Sequence, residues 1–151
     1  MLFRSGLVKG PVAAAIAPRG AIHILEAGNQ RIQAFDLGIN PIPNFKASAY
    51  YVPLKEETEA VSYLAMSVEF TGYIYVLSCT ENDVYRLDIY SPEGEFLSRT
   101  IGVNTARLTV DFWRNVYGLN YEYLTLPGGD LPGFTEPSVS LWIPSTPPGF
   151  I

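Results

Sequence analysis

The sequence predicts an all-β fold built from about three antiparallel repeats, and three observations carry that expectation. Short apolar and aromatic runs alternate with polar breaks along the 151 residues, as strands alternate with turns. The 13 Gly and 12 Pro fall between those runs as punctuation, where a helical chain would not tolerate so many. The runs also recur: Ala21–Leu25, Tyr73–Leu77 and Asn115–Leu119 superimpose without gaps, at offsets of 52 and 42 residues. A period of roughly 40 to 55 residues with several short strands per unit points to propeller blades rather than a helical solenoid. The expected architecture is therefore a partial β-propeller of about three antiparallel blades.

Taken in order, residues 1–10 read as a leader or a scar, with Met1–Ser5 fitting no element. The first blade spans 11–54, with strands near 12–17, 21–26, 31–36 and 48–54. Ile22 and Ile24 point one way and His23 and Leu25 the other, so both faces are apolar, as in a sheet packed between neighbours. A linker, 55–62, follows; its charged stretch Lys55–Ala60 reads as a solvated loop with room for one helical turn. The second blade, 63–103, has strands near 63–70, 73–79, 84–90 and 95–100, and Ile74, Val76 against Tyr75, Leu77 repeat the two-faced choice. The third, 104–144, has strands near 106–112, 115–124 and 138–143, the last reached through an irregular Pro127–Gly133 loop. The tail, 145–151, is expected to be extended.

Composition narrows the functions. Apolar residues make up 48% and charged residues 17%, which is globular rather than disordered. The formal net charge is −5 and the ten basic residues are scattered, whereas nucleic-acid binding needs a clustered basic face. No apolar run approaches the roughly 20 residues of a membrane-spanning helix. Cys79 is the single cysteine, so no internal disulfide can form, and it reads as a small strand hydrophobe. The cysteine count leaves the compartment open.

The first repeat, Gly20–Asp36, carries a Gly, an apolar strand, the acidic Glu26, Gly28-Asn29, then Arg31-Ile32 and Phe35-Asp36. That order resembles the NHL repeat. The second unit looks like a drifted copy that keeps Gly72, Asn82, Arg86, Leu87 and Tyr90; the third departs further and lacks the Gly-Asn and Arg-Ile steps. The resemblance covers about residues 11–124. It implies NHL-like blades of a propeller, commonly six-bladed. Three blades are too few to close such a ring, so the remaining blades of a longer chain or a second copy are expected to complete it.

Candidate chemistry is sparse. His23 is the only histidine and its repeat equivalents are Tyr75 and Tyr117, so it reads as a strand residue; a metal site would need companion ligands. Ala17, Glu69 and Asp111 form a column at the ends of the first strands. Gluconolactonase-like propellers, which this architecture resembles, hold a divalent cation with channel carboxylates, and hard oxygen ligands suit Ca or Mg. Glu69 and Asp111 are thus candidate metal ligands, against a plainer role in the strand turns. Asn29, Gln30 and Arg31, with Glu81, Asn82, Asp83 and Arg86, lie at the turns between second and third strands, where variable loops on a rigid scaffold bind ligands. Arg31 and Arg86 have a structural alternative, pairing with carboxylates such as Glu26 and Asp88. Trp113 and Trp142 read as blade packing, with exposed partner anchors as the alternative. No Gly-x-Ser-x-Gly or phosphate-cradling loop is present, and no catalytic residue is assigned.

The expected function is therefore a non-catalytic NHL-type propeller module that needs no cofactor and binds a protein or carbohydrate through its face loops. The alternative is a metal-dependent lactonase- or lyase-type enzyme using Glu69 and Asp111.

Overall fold

A computed structural model describes residues 6–105 and 107–120 and, as backbone, 123–125, 132–134 and 138–142. The protein is all-β. Two four-stranded antiparallel meanders lead the chain. Sheet 1 contains β1 (Pro11–Ile16), β2 (Ile22–Glu26), β3 (Arg31–Phe35) and β4 (Tyr51–Pro53) in that spatial order. Sheet 2 contains β5 (Val61–Val68), β6 (Ile74–Thr80), β7 (Tyr85–Tyr90) and β8 (Phe96–Ile101), again in order. Sheet 3 places β10 (Val116–Asn120) between β9 (Arg107–Val110) and β13 (Ser138–Trp142). A short ladder pairs β11 (Tyr123–Thr125) with β12 (Pro132–Phe134). No sheet closes on itself among the described residues.

The strand bounds follow the expected ones closely, with three differences. The fourth strand of sheet 1 shrinks to three residues, because Phe45–Tyr50 is taken up by a turn in which Ala47 and Ser48 adopt left-handed φ of 57° and 56°. The strand expected over 115–124 ends at Asn120, and 123–125 pairs instead with 132–134, inside the stretch expected to be an irregular loop. The rest of that loop, the Trp142 side chain and the 145–151 tail lie outside the described residues. Residues 6–10, part of the stretch read by sequence as a leader or scar, are hydrogen-bonded onto sheet 1: Lys9 and Gly10 carbonyls accept from Gly28 and Ala27 N–H at 3.1 and 2.9 Å.

Side-chain alternation decides how the sheets stack. Leu25, Ile32 and Val52 lie on one face of sheet 1 and pack against Met66, Ile74, Val76 and Tyr90 of sheet 2. The opposite face of sheet 2, with Tyr75, Leu77, Leu87 and Ile89, packs on Leu108, Val110 and Val116 of sheet 3. Sheet 2 is thus covered on both faces, and all seven residues of β6 are buried. That accounts for its nearly continuous apolar run. The first strands lie side by side, β1 against β5 and β5 against β9. Gly94 locks sheets 1 and 2 together: its φ is +94°, and a Cβ there would come within 2.1 Å of Val52 Cγ2.

His23 belongs to this core. It is 1% exposed, its ring centroid lies 5.2 Å from that of Phe45 at a tilt of 43°, and its Nε2 lies 3.2 Å from Asn44 Nδ2. Burial lowers its pKa to about 4, so the imidazole is neutral near pH 7.

Candidate functional site

The site is built from one recurring turn. Three hairpins join the first and second strands of the sheets, at 17–21, 69–73 and 111–115. In each, the first residue's N–H donates to the fifth residue's carbonyl: Ala17 to Ala21 at 2.7 Å, Glu69 to Tyr73 at 3.0 Å, Asp111 to Asn115 at 3.0 Å. The fourth residue adopts left-handed φ: Gly20 at 77°, Gly72 at 102°, Arg114 at 69°. This is the three-residue hairpin loop whose last loop residue must be left-handed. The same device closes 36–40, 80–84 and 91–95.

Where the first residue carries a side-chain oxygen, that oxygen completes the turn. Glu69 Oε1 accepts N–H bonds from Thr71 at 2.8 Å and Tyr73 at 3.0 Å, together with the Thr71 hydroxyl. Its Oε2 faces Arg114 Nε at 3.5 Å. Asp111 Oδ1 accepts from the N–H of Trp113 and Asn115 at 2.8 and 2.9 Å, and Oδ2 accepts from Asn115 Nδ2 and the Tyr117 hydroxyl at 3.1 and 3.0 Å. Desolvation pushes the Asp111 pKa up, but the hydrogen bonds from Asn115, Tyr117 and Trp113 outweigh it and hold it below the usual value. Both Asp111 oxygens and Glu69 Oε1 are therefore taken up by hydrogen bonds in and beside their turns, while the buried Glu69 Oε2 has only the Arg114 guanidinium facing it. Among the described residues, no group of three or more His, Cys, Asp or Glu is placed to hold a metal ion.

Holding these turns rigid leaves their tips facing solvent. Phe70 is 69% exposed, Phe112 63% and Trp113 76%. Phe70 and Phe112 lie 5.0 Å apart, centroid to centroid, and Phe112 and Trp113 meet edge-on at 5.8 Å. The three rings form one aromatic patch bridging sheets 2 and 3. Beside it, a cleft of about 430 Å³ runs between Ile16–Arg19 of sheet 1 and Val68–Phe70 of sheet 2. A second, of about 450 Å³, lies between the same two sheets, over Arg19, Phe45, Thr71 and Glu93. Exposed Leu37 lines a third alongside Pro18 and Arg19, and its neighbour Ile39 is also exposed. Ile39 is a β-branched residue at φ +61°, a conformation that costs an L-residue about 1–2 kcal/mol.

The other sequence candidates lie at the opposite ends of the strands. Gln30, Glu81, Asn82 and Asp83 are exposed at the two turns between second and third strands, and Asn29 donates to Glu26 Oε1 at 2.8 Å. Arg31 and Arg86 are buried, at 1% and 4% exposure. Arg31 Nε meets Glu26 Oε2 at 2.8 Å, as expected. Arg86 does not pair with Asp88. Its cross-strand neighbours are Ser78 and Ile101, neither acidic, so it reaches Glu57 at 3.0 Å, while Asp88 binds its own cross-strand neighbour Arg99 at 2.7 Å. Glu57, in the stretch expected to be solvated, is correspondingly only 10% exposed. Trp113, expected to pack between blades, sits at a turn tip instead. The sequence signal for the patch was aromatic residues directly after the column at 69 and 111, at positions where a turn tip needs none.

Cys79 is buried and its Sγ lies 3.4 Å from the Thr80 carbonyl. No helix among the described residues is long and apolar enough to cross a membrane. Compared with models of protein families and with curated proteins, the chain matches none.

Proposed function

We propose that this chain is a non-catalytic binding module of the β-propeller type, related to NHL-repeat proteins, that takes a protein or carbohydrate ligand on the face formed by its first-to-second-strand turns. The observation that carries the reading is the Phe70–Phe112–Trp113 patch, three exposed rings held on hydrogen-bonded turns. Exposed aromatics on a rigid frame supply contact area at little entropic cost and are enriched among binding hot spots. The propeller reading draws support from sheets that repeat in register, stack face to face and set their first strands side by side. In it, further blades of a longer chain or a second copy close the ring; a second copy would double the mass measured by light scattering.

The test is to screen the chain and its Phe70→Ala/Trp113→Ala variant against arrayed oligosaccharides and arrayed peptides. Loss of a hot-spot aromatic costs 2 kcal/mol or more, so the variant is expected to bind at least about thirtyfold more weakly with an unchanged circular dichroism spectrum. Binding that survives the double substitution, or no binding on either array, defeats the reading.

A further inference from the structure

We propose that Glu26, Arg31 and Gln33 form a site that reads the main chain of an extended peptide segment. Residues 6–9 occupy it here, and an extended segment of another polypeptide can take it when they leave. This proposal is independent of the turn-face reading.

The three side chains lie at 0–1% exposure on the face of sheet 1 that points away from sheet 2. Their arrangement is preformed by the strands. Glu26 and Arg31 are cross-strand partners, and Gln33 Nε2 donates to Glu26 Oε2 at 2.8 Å. Asn29 Nδ2 also donates to Glu26 Oε1 and Arg31 lies over the Tyr51 ring, but four of their outward hydrogen bonds go to backbone atoms of one segment. Gly6 N–H donates to Gln33 Oε1 at 2.7 Å, the Leu7 carbonyl accepts from Arg31 Nη2 at 2.7 Å and from Gln33 Nε2 at 3.0 Å, and Lys9 N–H donates to Glu26 Oε1 at 2.9 Å. The segment's own side chains are left out: Leu7 is 61% and Val8 41% exposed. Recognition through main-chain hydrogen bonds supplies affinity without reading side chains. Glycines bracket the segment, Gly6 at φ +88° and Gly10 at φ +60°, with Gly10 seated so close to Gly28 that a Cβ would lie 2.9 Å from its nitrogen. Sheet 2 handles the same position differently, giving its Arg86 the Glu57 side chain. The main-chain habit therefore belongs to sheet 1 and not to the repeat.

The test uses the full chain and a fluorescent peptide copying residues 5–11. Its own segment competes at high effective concentration, so the receptor is the Lys9→Pro chain, which lacks the N–H that Glu26 accepts. Hydrogen bonds to charged groups are worth about 1.5–3 kcal/mol, so the peptide should bind this variant at least about tenfold more tightly than the parent chain. N-methylation of the peptide at the position of Lys9 should weaken binding by a similar factor of about ten. Replacing its Leu7→Thr and Val8→Thr should leave affinity nearly unchanged. No binding at millimolar peptide, or affinity that follows the side chains and ignores N-methylation, overturns the proposal. Hydrogen exchange on the unaltered chain gives a second readout that needs no variant. Amides of Gly6 and Lys9 should exchange by local opening, well before those of β6; exchange only together with β6 overturns it as well.

Discussion

Arg31 and Arg86 occupy the same position in two copies of one repeat, yet the surrounding chain holds them in different ways. Arg31 faces Glu26 directly across the ladder, and the pair is sealed by the main chain of residues 6–9. Arg86 has no acidic cross-strand neighbour and depends on Glu57, which also binds Arg99, itself tied to Asp88. One is a tight pair locked within two strands; the other is a network reaching across a loop. A buried cation must be compensated, but the repeat does not dictate by what.

This difference can be broken or sharpened experimentally. Arg31→Ala takes from buried Glu26 the cation it is paired with, and breaking a buried pair in this way costs about 3–5 kcal/mol. Arg86→Ala should cost less, because Glu57 keeps Arg99. Urea denaturation of both variants measures this, and equal losses would erase the distinction.

The next largest effect concerns pH. Burial holds the folded His23 pKa at about 4 against the ordinary 6.5 of an exposed imidazole, so the unfolded chain takes up the proton first. Stability from this residue is full above the unfolded value and falls as pH drops from 6.5 towards 4, by about 3 kcal/mol in all. Glu26 acts in a lower window. Burial alone would raise its pKa, but the hydrogen bonds from Arg31, Lys9 N–H, Gln33 and Asn29 outweigh it and lower it. Its contribution is present above its unfolded pKa and is lost only as pH falls through the folded one. In a His23→Gln chain the slope of urea midpoint against pH between 6.5 and 4.5 should largely vanish, while the steeper loss in stronger acid persists.

Gly94→Ala tests the seam between sheets 1 and 2. The added methyl meets Val52 and imposes left-handed strain, for an expected loss of about 1–3 kcal/mol. Shortening the neighbour in a Val52→Ala/Gly94→Ala chain should recover the steric part, which a double-mutant cycle will show as coupling.

The smallest expected effect is at a turn. Thr80 Oγ1 accepts from Asn82 and Val84 N–H at 3.3 and 3.2 Å, and Thr80→Val removes both bonds at a cost of about 1 kcal/mol. A loss of zero would mean the backbone hydrogen bonds of the turn suffice.

Much of this protein could be read before folding it. Seven of the eight strands of the first two sheets lie close to where alternation and turn residues put them, because period and punctuation are local properties of the chain; the fourth of sheet 1 is cut short by a turn. The Glu26–Arg31 pair was legible for the same reason, since cross-strand partners flanking a tight turn are close in sequence. The Arg86–Glu57 contact spans 29 residues, and no local pattern announces it. Trp113 was misjudged because an aromatic among strands usually packs, and only the turn geometry puts it at a tip.

Sequence alone determined the all-β class, the repeat and which residues of the first two sheets share a face, which depend on a two-residue period and on glycines where the backbone must turn. The tertiary structure decided what each face and each charge would meet. Ile22 and Ile24 match Ile74 and Val76 residue for residue, yet the first pair is half-buried and the second is sealed under sheet 1. Identical positions acquire different environments because burial belongs to the neighbours that arrive, not to the strand that waits for them.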